Sequence, residues 1–233
     1  IAPNTDITWK YLGVNANGEL EIIADLGTKA VAENTKVTLS GKGGYLKGPE
    51  MLNTICEKLY SKDGIGAARS INIDDVSSIL GYIGEKGSYY DNSFTYTPTK
   101  EAKTIAALES ELKTTLSQRA TPDGKDLGTY YSDWYVINKT NDVSKMKKTE
   151  NVNLVYNDHN MYWLASSCVY TSFIVGEADF CVRYVDSTKV GAGTMYISLG
   201  VSLNSAYTVR PVVTLNSNVK LTPNSDKTEW AIS

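Results

Sequence analysis

Three segments decide how this chain is read: Met161-Tyr162-Trp163-Leu164-Ala165-Ser166, Ala178-Asp179-Phe180-Cys181-Val182-Arg183-Tyr184-Val185 and Val209-Arg210-Pro211-Val212-Val213-Thr214-Leu215. The first and last are short apolar and aromatic runs of the length of core strands. In the middle one Phe180, Val182 and Tyr184 alternate with Asp179, Cys181 and Arg183, the period of two that sends successive side chains to opposite faces of a sheet. Between these strands lie two stretches without sustained period, Tyr170 to Gly176 and Asp186 to Tyr207, where Phe173, Ile174, Ile197 and Leu199 sit among small polar residues. Either they are ordinary strands of a β-rich core, or they present apolar and aromatic side chains on a binding surface.

Upstream, the pattern is mixed. Ile7 to Val14, the Asn17-Gly18 turn and Glu19 to Ala24 read as a hairpin, because Asn-Gly tolerates the positive φ of a two-residue turn. Lys36 to Leu39 is a third strand, ending at the glycines Gly41, Gly43 and Gly44. Met51, Leu52, Ile55, Cys56 and Leu59 then recur at helical spacing, and Pro49 and Glu50 mark the start of a helix running to Tyr60. A second helix is expected over Ile73 to Leu80, with Asn72 as N-cap, Asp75 at the third helical position and Gly81 as the stop. Residues 82 to 98 read as loop with room for one strand. Lys100 to Arg119 carries a weaker helical pattern through Ile105, Leu108, Leu112 and Leu116. Thr121-Pro122-Asp123-Gly124 is a turn, Tyr130 to Asn138 a strand around Trp134, and Lys139 to Asn151 a polar connection. Helices beside antiparallel strands make the fold class α+β.

The chain has 233 residues and a formal charge of -3, enough length for one domain with a sizeable core and too little charge imbalance to draw nucleic acid by long-range field. Its balance of 42% hydrophobic and 21% charged residues excludes disorder, collagen and coiled coil, and no apolar run is long enough to span a membrane. Sixteen Tyr against three Phe, with many Ser, Thr and Asn, is the composition of adaptable recognition surfaces. The cysteines Cys56, Cys168 and Cys181 have no Cys-x-x-Cys spacing and His159 is the only histidine, so zinc-ribbon, thioredoxin and His-based metal chemistry have no basis. No signal peptide is visible, and a start at Ile1 is compatible with a targeting or anchoring segment upstream.

Tyr-Trp-Leu-Ala-Ser at 162 to 166, Phe-x-Val-Arg-Tyr-Val at 180 to 185 and Val-Arg-Pro-Val-Val at 209 to 213 resemble the C-terminal region of bacterial and phage proteins with a C-type lectin fold. In particular they resemble the variable proteins diversified by diversity-generating retroelements. Leu-Ser-Gly-Lys-Gly-Gly-Tyr at 39 to 45, Leu-Asn-x-Ile-Cys at 52 to 56 and Ala-Arg-Ser-Ile-Asn-Ile-Asp-Asp-Val at 68 to 76 are similar to the N-terminal part of such chains. The resemblance implies a single C-type lectin-like domain over residues 1–233, with a hairpin and two helices (1–84), a connecting region (85–160), a variable ligand-binding region (161–215) and a tail (216–233). Where such chains carry Arg after Leu-Ala-Ser there is Ser167 here, and where Gly often precedes Val-Arg-Pro there is Thr208.

In that family a retroelement rewrites adenines of a terminal cassette, often in AAY codons, while the lectin fold holds the resulting side chains on one face. Such rewriting cannot produce Lys, Glu, Gln, Met or Trp. From Ser166 to Arg210 only Glu177, Lys189 and Met195 are of those types, fewer than half the share found along the chain as a whole. The resemblance thus implies variable contact positions at Ser167, Tyr170, Thr171, Ser172, Phe173, Ile174, Val175, Ser187, Thr188, Ala192, Thr194, Tyr196, Ser198, Leu199, Val201, Leu203, Asn204, Ser205, Tyr207 and Thr208. Tyr170, Phe173, Tyr196 and Tyr207 would be the aromatic anchors. Trp163, Arg183 and Arg210 belong to the scaffold, the two guanidiniums needing Asp179, Asp186 or backbone carbonyls as partners if buried. Cys168 and Cys181 fall on neighbouring expected strands, and a disulfide between them is one open pairing.

The expected function is non-enzymatic binding of a protein or glycan on a cell or phage surface, by a chain displayed extracellularly or on a virion. No cofactor and no obligatory metal are expected, since no Asp/Asn/Glu run has the spacing of a dedicated calcium loop. Membrane association is expected only through an upstream anchor. Two alternatives stand beside this reading. One is an oxidase like the formylglycine-generating enzymes, which share the broad fold and rely on a cysteine pair; the motifs around Cys168 and Cys181 do not match theirs. The other is a pilin-like or tail-fibre module of fixed specificity.

Overall fold

The computed structural model describes residues 7–25, 36–86, 88–89, 131–132, 134–156, 161–172, 177–197, 201–223 and 230–232. The helix expected over Lys100 to Arg119, the turn at Thr121 to Gly124 and His159 lie outside them. The described residues are α+β, with few helices on mostly antiparallel sheets, as the sequence implies.

The N-terminal hairpin forms from β1 (Trp9–Val14) and β2 (Leu20–Ala24), antiparallel, with Val14 opposite Leu20. Its connection is five residues rather than two. The Asn15 side chain organises it by accepting from the backbone N–H groups of Asn17 and Glu19, so the turn closes through an Asx interaction as well as through Gly18. β2 pairs on its other side with β13 (Pro211–Leu215), which pairs with β4 (Gly66–Ser70), giving the order β1-β2-β13-β4. Residues near both ends of the chain thereby share one sheet.

Between β3 (Lys36–Ser40) and β4 runs α1 (Gly41–Tyr60), a helix two turns longer than the sequence pattern suggests. The glycines that read as the end of a strand are its first turns, and Pro49 lies inside it. Two approaches explain their use. Gly41 has φ +55°, and a Cβ there would stand 3.1 Å from Ser202 Oγ; a Cβ at Gly48 would stand 3.0 Å from Leu39 Cδ1. A Cβ at either position would crowd these side chains and require them to shift by a few tenths of an ångström. The buried stripe is Gly41, Gly44, Tyr45, Gly48, Leu52, Cys56 and Tyr60, while Met51 and Leu59, expected on the core face, are exposed.

α2 (Ile73–Leu80) has the expected capping: Asn72 accepts from the N–H groups of Asp74 and Asp75, Asp75 accepts from the Asn72 N–H, and Gly81 ends the helix in the left-handed region. Asp75 also takes both terminal nitrogens of Arg69, at 2.6 and 2.8 Å, and Arg69 reaches Glu21 at 3.0 Å. That network ties β2, β4 and α2 together.

The larger sheet holds β8 (Tyr162–Ser172), β9 (Glu177–Val185), β10 (Lys189–Ile197), β11 (Val201–Ser202) and β12 (Asn204–Thr208), in the order β11-β10-β9-β8-β12-β3, with β7 (Ile137–Asn138) added to β10. Only β12 and β8 run parallel, meeting at Thr208 and Tyr162. The interval from Asp186 to Tyr207, which looks aperiodic in sequence, is therefore largely regular strand. Its period is hidden because Tyr196, Met195, Val190 and Gly191 are all buried, and a strand covered on both faces loses its alternation. A bulge between Thr194 and Tyr196 breaks the register further.

The expected strand over Tyr130 to Asn138 is instead two pieces, β6 (Tyr131–Ser132), paired with β5 (Ser88–Tyr89), and β7. Between them the carbonyl of Tyr135 serves Arg183 rather than a ladder. The polar connection after β7 contains short 3-10 turns and the one-turn α3 (Val152–Val155). β14 (Leu221–Pro223) and β15 (Trp230–Ile232) pair in the tail.

Candidate ligand-binding face

The strands β8, β9 and β10 form the floor. On the side facing α1, Phe180 packs edge-on against Tyr45 at 4.9 Å, with Val169 opposite it on β8 and Tyr196 opposite it on β10. Further along, Tyr207 meets both Trp163 and Tyr184 with tilted rings, 4.4 Å between the rings of Trp163 and Tyr207 and 5.1 Å between those of Tyr184 and Tyr207. The Trp163 indole N–H donates to the Val37 carbonyl, fixing β3 and β12 over this end of the floor.

Both arginines are inside. Arg183 lies over the Tyr135 ring and donates to its carbonyl; Arg210, 2% exposed, donates to the Ala24 carbonyl and to the Tyr162 hydroxyl, each at 3.1 Å. Backbone carbonyls thus receive both guanidiniums. Asp186 instead caps the β9–β10 turn by accepting from the N–H groups of Thr188 and Lys189. Burial pushes the Tyr162 phenol up while Arg210 pulls it back, and the hydroxyl itself donates a hydrogen bond to the Val155 carbonyl.

The twenty expected contact positions separate into groups. Tyr196, 3% exposed, is core and is corrected from anchor to scaffold; its ring meets Phe180 and carries the Lys42 ammonium at 4.7 Å. Thr208 is likewise buried and donates to the Met161 carbonyl, so it is not a contact position. Tyr207 is partly buried in the aromatic series, and Ser205, Ala192 and Thr194 are partly buried. Thr194 is turned toward Asp179 and Cys181. Ser187 and Thr188 are exposed, but at the β9–β10 turn, the end of β9 opposite to that from which Val201 and Leu203 follow, about 27 Å along a nine-residue strand. For Tyr170, Thr171 and Ser172 the strand backbone alone is described; Phe173, Ile174, Val175, Ser198 and Leu199 lie outside the described residues.

What remains together is Val201, Leu203 and Asn204, with exposures of 47% and 40% for the two aliphatic residues. The bonds that hold this run are main-chain. Val201 and Ser202 pair with Ile197 and Tyr196, the Leu203 N–H donates to the Met195 carbonyl, the Leu203 carbonyl accepts from the Gly41 N–H, and Asn204 pairs with Ser40. Ser202, Ala206, Thr38 and Ser40 are also exposed and were not expected from sequence; Asn204 and Ala206 share a side of the sheet with their partners Ser40 and Thr38. Thr38 and Ser40 become neighbours of Ala206 and Asn204 through a pairing that spans most of the chain, and no local signal announces it.

Ser167 sits apart, lining a cleft of about 400 Å³ with Pro49, Glu50, Asn53, Thr54 and Glu57 of α1. Among the described residues no group of three or more His, Cys, Asp or Glu side chains is placed to hold a metal ion, and no helix is long and apolar enough to cross a membrane. Comparison with protein-family models, with curated proteins and with solved structures gave no match.

Proposed function

We propose that this chain is a C-type lectin-like variable protein, a non-enzymatic binding module displayed on a cell surface or virion, whose contact residues are rewritten by retroelement mutagenesis. The observation that carries the reading is the way Val201, Leu203 and Asn204 are held. Main-chain hydrogen bonds to Met195, Gly41 and the neighbouring strands fix their backbone, so their exposed side chains can change without disturbing the bonds that place them. Beneath them, Met195, Tyr196, Phe180 and Val169 are buried and supply stability independently.

The pairing of β2 with β13 near the two ends, and a helix pair set against the two sheets, support the lectin-like reading of the α+β architecture. The partner is a protein or glycan on an opposing surface. Val201 and Leu203 offer apolar contact, while Asn204, Ser202, Ser40 and Thr38 offer hydroxyl and amide groups around it, the mixture that adaptable paratopes use.

The test is sequencing of the encoding locus in sibling isolates. A reverse transcriptase with a near-copy template repeat is expected beside the codons for residues 165–210. Differences from the template should be confined to adenines and fall on the codons of Val201, Leu203 and Asn204, sparing those of Tyr196, Thr208 and Arg210. A locus with neither element would refute retroelement diversification and leave a binding domain of fixed specificity.

A further inference from the structure

Cys168 and Cys181 occupy directly opposed positions in the antiparallel β8–β9 pair, and none of the three cysteines is in a disulfide in the structure. Opposed residues of an antiparallel ladder project to the same face, with Cα atoms about 4.5–5.5 Å apart and Cβ atoms at about the same separation. A disulfide requires a Cα separation of about 4.4–6.8 Å and Cβ atoms near 3.8 Å, so a small approach of the two side chains suffices. Both residues are buried on a face where Cys181 Sγ lies 3.7 Å from Thr194 Oγ1 and from the Asp179 carbonyl. Cys56 is elsewhere, in the buried stripe of α1 beside Ser70.

We propose that Cys168 and Cys181 form an intramolecular disulfide when the chain folds in an oxidising environment, stapling β8 to β9 just below the connection that joins them. The inference does not depend on what that connection or the neighbouring face binds. With oxidised glutathione as the oxidant, one cysteine thiolate attacks a glutathione sulfur and forms a mixed disulfide, releasing one reduced glutathione. The second thiolate attacks the protein-bound sulfur and releases another. The protein loses two protons and two electrons, which reduce one oxidised glutathione to two thiols.

Such a bond locks strand register directly at Cys168 and Cys181. A one-residue slip would turn every side chain of the slipped strand to the other face, and the bond prevents it whatever side chains the neighbouring positions carry. Cys56 provides the internal contrast, because burial pushes its thiol up to about 12 despite the hydrogen bond with Ser70, and no second cysteine opposes it.

The chain is refolded from denaturant in a glutathione redox buffer, and in parallel in excess reductant. Each sample is acid-quenched, alkylated under denaturing conditions without reduction, and mapped by peptide mass spectrometry. After oxidising refolding one alkylated site is expected, Cys56, with the Cys168 and Cys181 peptides joined; after reducing refolding all three are alkylated. The melting temperature of the oxidised form should exceed that of the reduced form. Cys168→Ser and Cys181→Ser should each leave the remaining partner alkylated or glutathionylated, and Cys56→Ala should preserve the link. Three alkylated cysteines in protein that has regained its native circular dichroism after oxidising refolding would overturn the proposal, as would a link involving Cys56. The wild-type map decides the matter even if a variant does not fold.

Discussion

Exchanging Val201→Thr, Leu203→Tyr and Asn204→Ser together should leave the protein nearly as stable as before, whereas the single change Tyr196→Ser, five residues upstream, should cripple it. At 47% and 40% exposure Val201 and Leu203 keep a large part of their surface in water, and the backbone bonds at 201–204 use no side-chain atom. Exposed exchanges that break no cap, core or ion pair change stability by about 0.5 kcal/mol or less each, so the triple variant should stay within about 1.5 kcal/mol of the parent. Tyr196 is 3% exposed between Phe180 and Lys42. Emptying such a ring site costs about 3–5 kcal/mol. At roughly 2–4 °C per kcal/mol for a chain of this size, the triple variant melts within about 6 °C of the parent and Tyr196→Ser about 6–20 °C lower. Urea unfolding followed by tryptophan fluorescence, with thermal melts as a second probe, gives both numbers. A triple variant that loses more than about 3 kcal/mol, or a Tyr196→Ser variant that loses less than about 1 kcal/mol, would refute the division of this segment into contact and scaffold positions.

Arg210→Ala should cost about 3–5 kcal/mol, because it removes a donor from the Ala24 carbonyl and from the Tyr162 hydroxyl, which keeps only its bond to the Val155 carbonyl, and empties the volume of a fully buried side chain; a loss below about 1 kcal/mol in urea unfolding would show that the guanidinium is not a strut. Burial pushes the Asp142 carboxyl up, but the Asn138 N–H and Lys145 outweigh it and hold its pKa below the ordinary carboxylate value. Its contribution is therefore present above about pH 4 and disappears as the pH falls through the lowered folded value. Unfolding curves of wild type and Asp142→Asn should differ at pH 7 and converge toward pH 2.5, and an equal gap at both would contradict the sign. Millimolar calcium or a chelator should leave the melting temperature unchanged; a rise of several degrees with calcium would establish a site.

The parts of this fold that are legible in sequence are those fixed by short-range chemistry. Asn72, Asp75 and Gly81 announce α2 because a capping box and a left-handed stop act within one turn, and the alternation of Phe180, Val182 and Tyr184 announces β9. The start of α1 is illegible for the opposite reason. Glycine is a poor helix former, and Gly41, Gly44 and Gly48 fall in the helix where Leu39 and Ser202, the latter distant in sequence, approach closely enough that a Cβ would stand 3.0–3.1 Å from them. The same long-range geometry sorts the contact positions. Tyr196 and Leu203 look alike in a list of exchangeable residues, and only the bulge after Thr194 and the crossing to β12 turn one inward and the other out. Which residues of the segment face water is decided by the sheet, and a list of sequence positions does not carry that information.

If the exposed run is held by main-chain bonds, its one demanding side-chain requirement lies on the other side of the contact, at Gly41. There φ is +55°, and the N–H that caps the Leu203 carbonyl belongs to the same residue. Gly41→Ala places a residue with a Cβ in the left-handed region, costing about 1–2 kcal/mol, and sets that Cβ 3.1 Å from Ser202 Oγ. The two costs separate in a double-mutant cycle. Ser202→Gly should relieve the crowding and recover part of the loss, while the backbone cost remains, so the double variant stays below Ser202→Gly alone by about 1–2 kcal/mol. Should Gly41→Ala prove neutral, the helix entry would have rotated to accommodate it, and the bond to Leu203 would not be what fixes the face. Should the loss appear as expected, residue 41 is held invariant by the same geometry that leaves 201, 203 and 204 free, and variability on this face has a physical boundary.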